Sequence, residues 1–221
     1  MTRPSPSQSR AEAPARVFLA SRSPRRRAML LDYGVEHEAG HPGFDDGVLA
    51  PGDVDPEQWV ASLAFLKASS GAEQVLAQDG RTPHLVIGAD TACLAGARLV
   101  GTPEDASEAR EILRLLRRGE HDVLTGVALV WVREGRMEER QLFVDRATVR
   151  MGDLSDDQVE EYVESGAWSG KAGAYNLAER LEAGWPIEYV GDPTTIMGLP
   201  MGKLVPRLVR MGLGGGGKRT S

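Results

Sequence analysis

A Ser-Pro pair near the start of the chain is followed directly by three arginines, at residues 25–27. Ser23 and Pro24 are typical of the N-cap and first turn of a helix, so the arginines would lie at the positive end of the helix dipole. Cations are disfavoured there. The presence of the arginines would be explained if a polyanion, phosphate above all, binds there. The free backbone N–H groups, the arginines and the hydroxyl of Ser21 would then all contact it. A solvated basic face paired with acidic residues elsewhere explains the same charges.

An aspartate follows an apolar run that predicts a buried strand over residues 85–89. We expect this strand to end at Asp90, in the region where ligands commonly meet the sheet of an open α/β protein. A carboxylate at that place could bind a divalent cation or accept a proton from water. The alternative is that Asp90 and Thr91 only hydrogen-bond a turn.

Further charged residues could complete such a site. Lys67, on a predicted helix, could reach a phosphate or simply extend from the helix face into solvent. Lys171 lies among small residues that allow a close approach of backbone to a ligand, although the spacing is not that of a Walker loop. Asp45 and Asp46, in a glycine-flanked loop, could supply a second metal-binding carboxylate or form a solvated turn.

The composition limits the classes of protein to consider. The chain has 221 residues, and its 32 acidic residues outnumber its 26 Lys and Arg, which argues against a nucleic-acid partner. Its longest nearly apolar run, residues 123–132, is far shorter than the roughly 20 residues that cross a bilayer, so we expect no membrane partner. A single cysteine, Cys93, excludes an intrachain disulfide framework and is typical of a cytoplasmic protein.

The elements that position these residues follow from hydrophobic periodicity and capping residues. We predict strands at residues 17–20, 85–89, 123–132 and 141–150, and helices at residues 24–33, 59–76, 104–118, 155–165 and 200–211. The last two strands predict a hairpin around Gly135, whereas the earlier elements alternate. The sequence therefore predicts an α/β fold with a mixed sheet. A single domain at residues 16–211 would lie between a disordered tail, residues 1–15, and a flexible Gly-rich tail, residues 212–221.

Several separate segments together resemble the motifs of one family, in its order and at its spacing. They are LASRSPRR at residues 19–26, KA at 67–68, IGADT at 87–91, LTGV at 124–127, KAGAY at 171–175 and MGLP at 197–200. The chain resembles the Maf family of nucleoside triphosphate pyrophosphatases, the septum formation protein Maf-like group. The resemblance implies a single elongated α/β domain, similar to inosine triphosphatases, with a mixed β-sheet and a nucleotide cleft. It also implies hydrolysis of nucleoside triphosphates to a monophosphate and pyrophosphate, in a house-cleaning role against non-standard nucleotides.

The same resemblance assigns roles to individual residues. Asp90 would accept a proton or hold the metal, with Lys67 and Lys171 as further catalytic residues. The substrate would be bound by Ser21, Arg25, Arg26 and Thr91, of which Arg25 and Thr91 fall at positions tied to the choice of substrate. A divalent cation, Mg²⁺ or Mn²⁺, would be held by Asp90 and Asp46.

The chain departs from the family pattern at three positions. Members commonly have Gly-Lys-Pro where this chain has Gly101-Thr102-Pro103, so a phosphate-binding cation is missing, for which Arg22 or Arg98 could substitute. Gly170 replaces a common Asp, and Ala178 replaces a Gln that helps to select the base, so the base preference does not transfer.

These departures keep other functions open. A nucleotide-binding regulatory protein, acting in cell-division control, could have retained the pocket and lost hydrolysis. A DNA-binding protein that uses the arginines is a further alternative, which the acidic remainder of the chain disfavours. We expect a nucleoside triphosphate as the partner of this chain, with a homodimer left open.

Overall fold

The computed structural model describes residues 14–43 and 49–214, and these form an α/β fold around one mixed sheet. In the described ranges the sheet has seven strands: β1 (Arg16–Ala20), β2 (Glu38–Gly40), β3 (His84–Ala95), β4 (Arg98–Val100), β5 (Gly119–Arg133), β6 (Arg136–Met151) and β7 (Ile187–Val190). The helices are α1 (Pro24–Asp32), α2 (Pro56–Asp79), α3 (Ala106–Leu116), α4 (Asp156–Glu164), α5 (Leu177–Glu182), α6 (Pro193–Ile196) and α7 (Met201–Arg210). A 3₁₀ turn, Ala172–Ala174, precedes α5.

The order of the strands confirms the predicted mixed sheet. It runs β2-β1-β3-β5-β6-β7, with β4 paired to β3. The β2, β1 and β3 strands are parallel, and every pairing from β3 through β5 and β6 to β7 is antiparallel. The predicted hairpin is β5–β6, and Glu134 and Gly135 both have positive φ at its turn. Strands β2, β4 and β7 are too short to give a periodic signal in the sequence.

The predicted start of α1 is also confirmed. Ser23 is the N-cap, and its Oγ accepts a hydrogen bond from the backbone N of Arg26 at 3.4 Å. Pro24 occupies the first turn, where its missing N–H costs nothing. The arginines therefore do begin a helix.

The predicted end of the third strand was wrong. Strand β3 continues through Asp90 to Ala95, because β5 keeps pairing with it and places Gly126 opposite Asp90. On its other edge, β1 stops with Ala20 opposite Gly88, and β4 pairs only from Cys93 onward. The described pairings thus leave one edge of residues 89–92 open, and backbone polar groups on such an edge are available to a ligand.

Helix α2 covers the face of the sheet that carries Asp90. Its small residues pack on β3 and β5, where a Cβ added at Gly88 would lie 2.3 Å from the carbonyl oxygen of Ala64. A Cβ at Gly126 would lie 2.4 Å from the carbonyl oxygen of Val60. Glycine at these positions brings the helix close to the sheet, which sets Lys67 over β3.

The opposite face is covered by α1 and α7, whose Leu30, Leu204 and Leu208 are fully buried with β1 and β3. Leu213 packs on the same core, and its backbone N donates to the carbonyl of Leu208 at 2.8 Å. Most of both predicted tails lies outside the described residues. No described helix has the length and apolarity needed to span a membrane.

Candidate active site

A cavity of about 730 Å³ opens along the unpaired edge of residues 89–92, beside the end of β1. Its cationic side chains come from the β1–α1 loop, from α1 and from α2, and its acidic side chains are Asp90 on β3, Glu104, and Glu108 on α3. Its polar side chains include Ser21, Arg22, Arg25, Arg26, Lys67, Asp90 and Thr91. An apolar part is formed by Leu49, Pro51, Trp59, Leu63 and Leu99. The volume is in the range of a small-molecule site.

A buried ion pair lies in this cavity. The Nζ of Lys67 contacts Oδ1 of Asp90 at 2.7 Å, and Asp90 is 8% exposed. The two residues are 23 positions apart and meet because α2 crosses the face of β3 toward which Asp90 points. No described residue hydrogen-bonds the other carboxylate oxygen, Oδ2, which leaves it available to water or a cation.

Arg26 connects three parts of the cavity wall. Its Nε donates to the carbonyl of Gly198 at 2.7 Å, its Nη2 to Oγ1 of Thr91 at 3.0 Å, and its Nη1 to Oγ of Ser21 at 3.4 Å. Gly198 has a φ of 102°, and a Cβ there would lie 3.3 Å from both Arg26 Nε and Thr91 Oγ1. The guanidinium is therefore held in a fixed orientation by protein groups.

Arg25 contacts the segment that carries Lys171. Arg25 donates to the carbonyl of Gly170 at 3.0 Å. Burial lowers the pKa of Arg25, and the charge of Glu179 partly offsets this effect. The ammonium of Lys171 is bonded to Glu179 and is almost fully buried. Lys171 is not among the cavity-lining residues, although its neighbours Gly170 and Ala172 are.

A chain of buried hydroxyls leads away from the cavity. Oγ1 of Thr91 lies 3.0 Å from Oγ1 of Thr125, which donates to the carbonyl of Thr195 at 2.8 Å. The hydroxyl of Thr195 is in turn bonded to Asp145. Sequence reasoning assigned no role to Thr125 or Thr195. Thr125 was nevertheless marked in the sequence, as a polar residue inside the apolar run of β5 and as part of the family segment LTGV.

The chain is similar to known proteins over most of its length. A family model described as "Maf-like protein" matches residues 16–211. The chain belongs to the Maf family. This membership confirms the resemblance found in the sequence.

Curated relatives of this Maf chain are named dTTP/UTP pyrophosphatase. The protein from Aromatoleum aromaticum is 39% identical over 85% of this chain and 91% of the relative. The protein from Brucella abortus is 36% identical over 86% and 88%, respectively. A solved nucleoside-triphosphatase / dITP/XTP pyrophosphatase from Mycobacterium abscessus covers 63% of this chain and 75% of its own, at 19% identity and a TM-score of 0.35.

Two of the three residues that depart from the Maf pattern, Thr102 and Gly170, line the cavity. Thr102 lines the cavity, as do Gly101 and Pro103 on either side of it. Of the two arginines that could replace the missing lysine, Arg22 lines the cavity and is exposed. Arg98, on β4, does not line it.

The predicted site residues mostly converge on this cavity. Ser21, Arg25, Arg26, Lys67, Asp90 and Thr91 all line it, whereas Lys171 does not. Asp46 lies outside the described residues.

The donor groups bear on whether a divalent metal would fit here. The described residues contain no cluster of three or more His, Cys, Asp or Glu suited to a metal. However, Mg²⁺ commonly uses one or two carboxylates and completes its shell with waters and substrate phosphates. Asp90, with Oδ2 available in the cavity, fits the role of such a single protein ligand.

Proposed function

We propose that this chain is a metal-dependent nucleoside triphosphate pyrophosphatase that releases a nucleoside monophosphate and pyrophosphate. The observation that carries the proposal is the buried Lys67–Asp90 pair inside a cavity lined by arginines. The names of the curated relatives support uridine and thymidine triphosphates as the first substrates to test. A house-cleaning role and a cytoplasmic location belong to the same proposal.

The cationic side chains bind the triphosphate. Phosphoryl-transfer enzymes act mainly by positioning and by stabilising negative charge, so cations at the bridging and terminal oxygens accelerate the reaction. Arg22, Arg25, Arg26 and Lys67 are the cations that the described residues place on the cavity wall. Lys171 does not line the cavity, and to contact a phosphate oxygen it would have to exchange its present partner, Glu179.

Asp90 handles the proton. Lys67 holds Oδ1, so Oδ2 is directed to the attacking water and accepts its proton as the water oxygen bonds to phosphorus. The bridging P–O bond then breaks, and its electron pair leaves with pyrophosphate. In the alternative role, Oδ2 of Asp90 together with Asp46 would hold Mg²⁺ or Mn²⁺, which would supply Lewis-acid neutralisation of the phosphate oxygens.

One observation favours a second candidate function. Thr102 lines the cavity at a position where Maf proteins commonly have a lysine, so less positive charge is available to stabilise the leaving pyrophosphate. A regulatory protein that binds nucleotide without turnover would tolerate this loss.

Pyrophosphate release separates the two functions. We would assay wild-type protein and Asp90→Asn against common and modified triphosphates, with Mg²⁺, with Mn²⁺ and with a chelator. We expect metal-dependent turnover in the wild type and a loss of about 10² or more in kcat in Asp90→Asn, since it lacks the proton acceptor. Asp153→Asn is the matched control, because Asp153 pairs with Arg118 outside the cavity.

Two other outcomes would contradict the proposal. Nucleotide binding without turnover in the wild type would favour the regulatory function. An Asp90→Asn protein that folds and retains the wild-type rate would remove Asp90 from the mechanism.

A further inference from the structure

We propose that Asp145 is a positioning residue, which fixes the orientation of the Arg26 guanidinium in the cavity through the buried residue Thr195. Asp145 lies on β6 and does not line the cavity. The inference rests on the proposed function, in which Arg26 binds the phosphates. It deepens that function by naming a residue that acts on the site from outside the cavity.

Two of the hydrogen bonds that Arg26 makes lead to one carbonyl group, that of Thr195. Nε of Arg26 donates to the carbonyl of Gly198 at 2.7 Å, and the backbone N of Gly198 donates to the carbonyl of Thr195 at 3.0 Å. Nη2 of Arg26 donates to Oγ1 of Thr91 at 3.0 Å, and Thr91 contacts the Thr125 hydroxyl, which donates to the same carbonyl at 2.8 Å. These bonds form a closed ring, so the position of Thr195 sets both acceptors of the guanidinium.

Asp145 holds Thr195 against the sheet. The Thr195 hydroxyl donates to Oδ2 of Asp145, whose Oδ1 lies 2.6 Å from Nζ of Lys203 on α7. Thr195 is fully buried and the side chain of Asp145 is 13% exposed, so water competes little for these bonds. A hydrogen bond to a charged acceptor is also stronger than one between neutral groups.

The sheet gives Asp145 a rigid base. Thr91, Thr125 and Asp145 are directly opposite one another on β3, β5 and β6, so their side chains form one row on one face of the sheet. Thr195 lies on this row as part of α6, which has four residues and packs on β5 and β6. A helix this short is not stable by itself, so its place depends on such contacts. Without Asp145 we expect the turn from Thr195 to Gly198 to shift relative to the sheet, and the guanidinium with it.

Removing the Asp145 carboxylate tests the inference. We expect Asp145→Ala to lower kcat/KM for UTP about tenfold, the scale of one hydrogen bond, because Arg26 no longer meets the phosphates in its productive orientation. Asp145→Asn keeps an oxygen that accepts from Thr195 and should stay within about threefold of the wild type. Steady-state kinetics of pyrophosphate release measures these values.

Combination with Arg26→Lys separates positioning from a general structural effect. An ammonium group cannot form the directed bonds of a guanidinium, so it gains little from acceptors that are held in place. Asp145→Ala should therefore lower kcat/KM less than about twofold in the Arg26→Lys background. A merely structural loss would lower kcat/KM by the same factor in both backgrounds.

Asp122→Ala is the matched control. Asp122 also accepts from a threonine, Thr148, at 2.7 Å, pairs with a cation, Arg146, at 3.0 Å, and does not line the cavity. We expect this variant to change kcat/KM for UTP less than about twofold. A loss equal to that of Asp145→Ala would show that the effect is not specific to Asp145 and would overturn the inference.

Thr195→Val is the second variant, needed if circular dichroism shows that Asp145→Ala fails to fold. It removes the hydroxyl and keeps the carbonyl, so it should give the same loss and the same dependence on Arg26. A folded Asp145→Ala or Thr195→Val protein with the wild-type kcat/KM, or with an equal loss in both backgrounds, would overturn the inference.

The affinity for inorganic pyrophosphate distinguishes a failure of this inference from a failure of the proposed function. If the wild type hydrolyses no triphosphate, the proposed function fails, and calorimetry with pyrophosphate replaces the kinetic assay. Asp145→Ala should then weaken pyrophosphate binding about tenfold with Arg26 present and less than about twofold in the Arg26→Lys background. Equal effects in the two backgrounds would overturn the inference, whereas hydrolysis of UTP by the wild type would leave the proposed function standing.

Discussion

At the scale of single residues, the four cations on the cavity wall differ in how firmly they are held. Arg26 is bound to three protein groups, Arg25 to the carbonyl of Gly170, and Lys67 to Asp90. Arg22 is exposed, and among the described residues it has no hydrogen bond or ion pair. It can therefore contact an anion without losing a protein contact.

Arg22 is the cation best placed to compensate for Thr102. We expect Arg22→Ala to raise KM for triphosphates by about three- to tenfold with kcat little changed, because an exposed cation contributes mainly to binding the phosphates. Steady-state kinetics of pyrophosphate release measures both constants.

Arg98→Ala is the control for this substitution, since Arg98 is exposed on β4 and does not line the cavity. Adding Thr102→Lys to Arg22→Ala should restore KM. Equal effects of the two arginine substitutions would show that Arg22 acts only through the overall charge of the protein.

At the scale of elements, the site depends on how closely α2 approaches the sheet. The long helix crosses β3 and β5 at two glycines, Gly88 and Gly126, whose missing side chains leave room for its backbone. Lys67 reaches Asp90 only because of this close contact. The same packing buries Ala64 and Ala68 completely.

A methyl group at Gly88 should separate the two elements. Its Cβ would lie 2.3 Å from the carbonyl oxygen of Ala64 and 2.5 Å from the backbone N of Ala68, and backbone atoms cannot rotate away. We expect Gly88→Ala to lower the free energy of unfolding by about 3 kcal/mol, measured by urea denaturation. Gly119→Ala, whose Cβ would meet nothing closer than 3.7 Å, should change it by less than about 1 kcal/mol. Similar losses in both variants would show that the helix is not tightly packed here.

At the scale of the whole molecule, a neutral histidine joins the sheet to the segment that carries Lys171. His121, on β5, is buried, and its Nε2 lies 2.9 Å from the hydroxyl of Tyr175, which lines the cavity. Burial lowers the pKa of His121 to about 4, and the charge of Asp122 opposes this only in part. Protonating the folded protein at this position is therefore unfavourable.

The depressed pKa makes stability depend on pH. Between pH 6.5 and about 4 the unfolded chain binds a proton at His121 and the folded protein does not, so stability falls as the pH is lowered through this range. The contribution of this residue is about 3 kcal/mol. We expect urea denaturation to show a flatter pH profile for His121→Gln than for wild type.

Val149→Ala serves as the comparison, because Val149 is buried opposite His121 on β6 and has no ionisable side chain. It should lower stability without changing the shape of the pH profile. A profile for His121→Gln that also matches the wild type would mean that another group causes the acid instability.

The sequence by itself determined the long elements and the types of residue at the site. Helix α1, with its Ser-Pro start, and the β5–β6 hairpin were predictable because capping and periodicity are local properties of the chain. The α/β class with a mixed sheet followed from the order of these elements. The family motifs were likewise readable as short segments.

Tertiary structure alone decided which of these residues meet. Lys67 pairs with Asp90 inside the cavity, whereas Lys171 pairs with Glu179 and does not line it, although the sequence makes both lysines candidates for the same site. The open edge of β3 exists because β1 ends at Ala20, and the 70 positions from Thr125 to Thr195 are spanned by one hydrogen bond. Such contacts depend on where packed elements cross, which no local pattern of residues encodes.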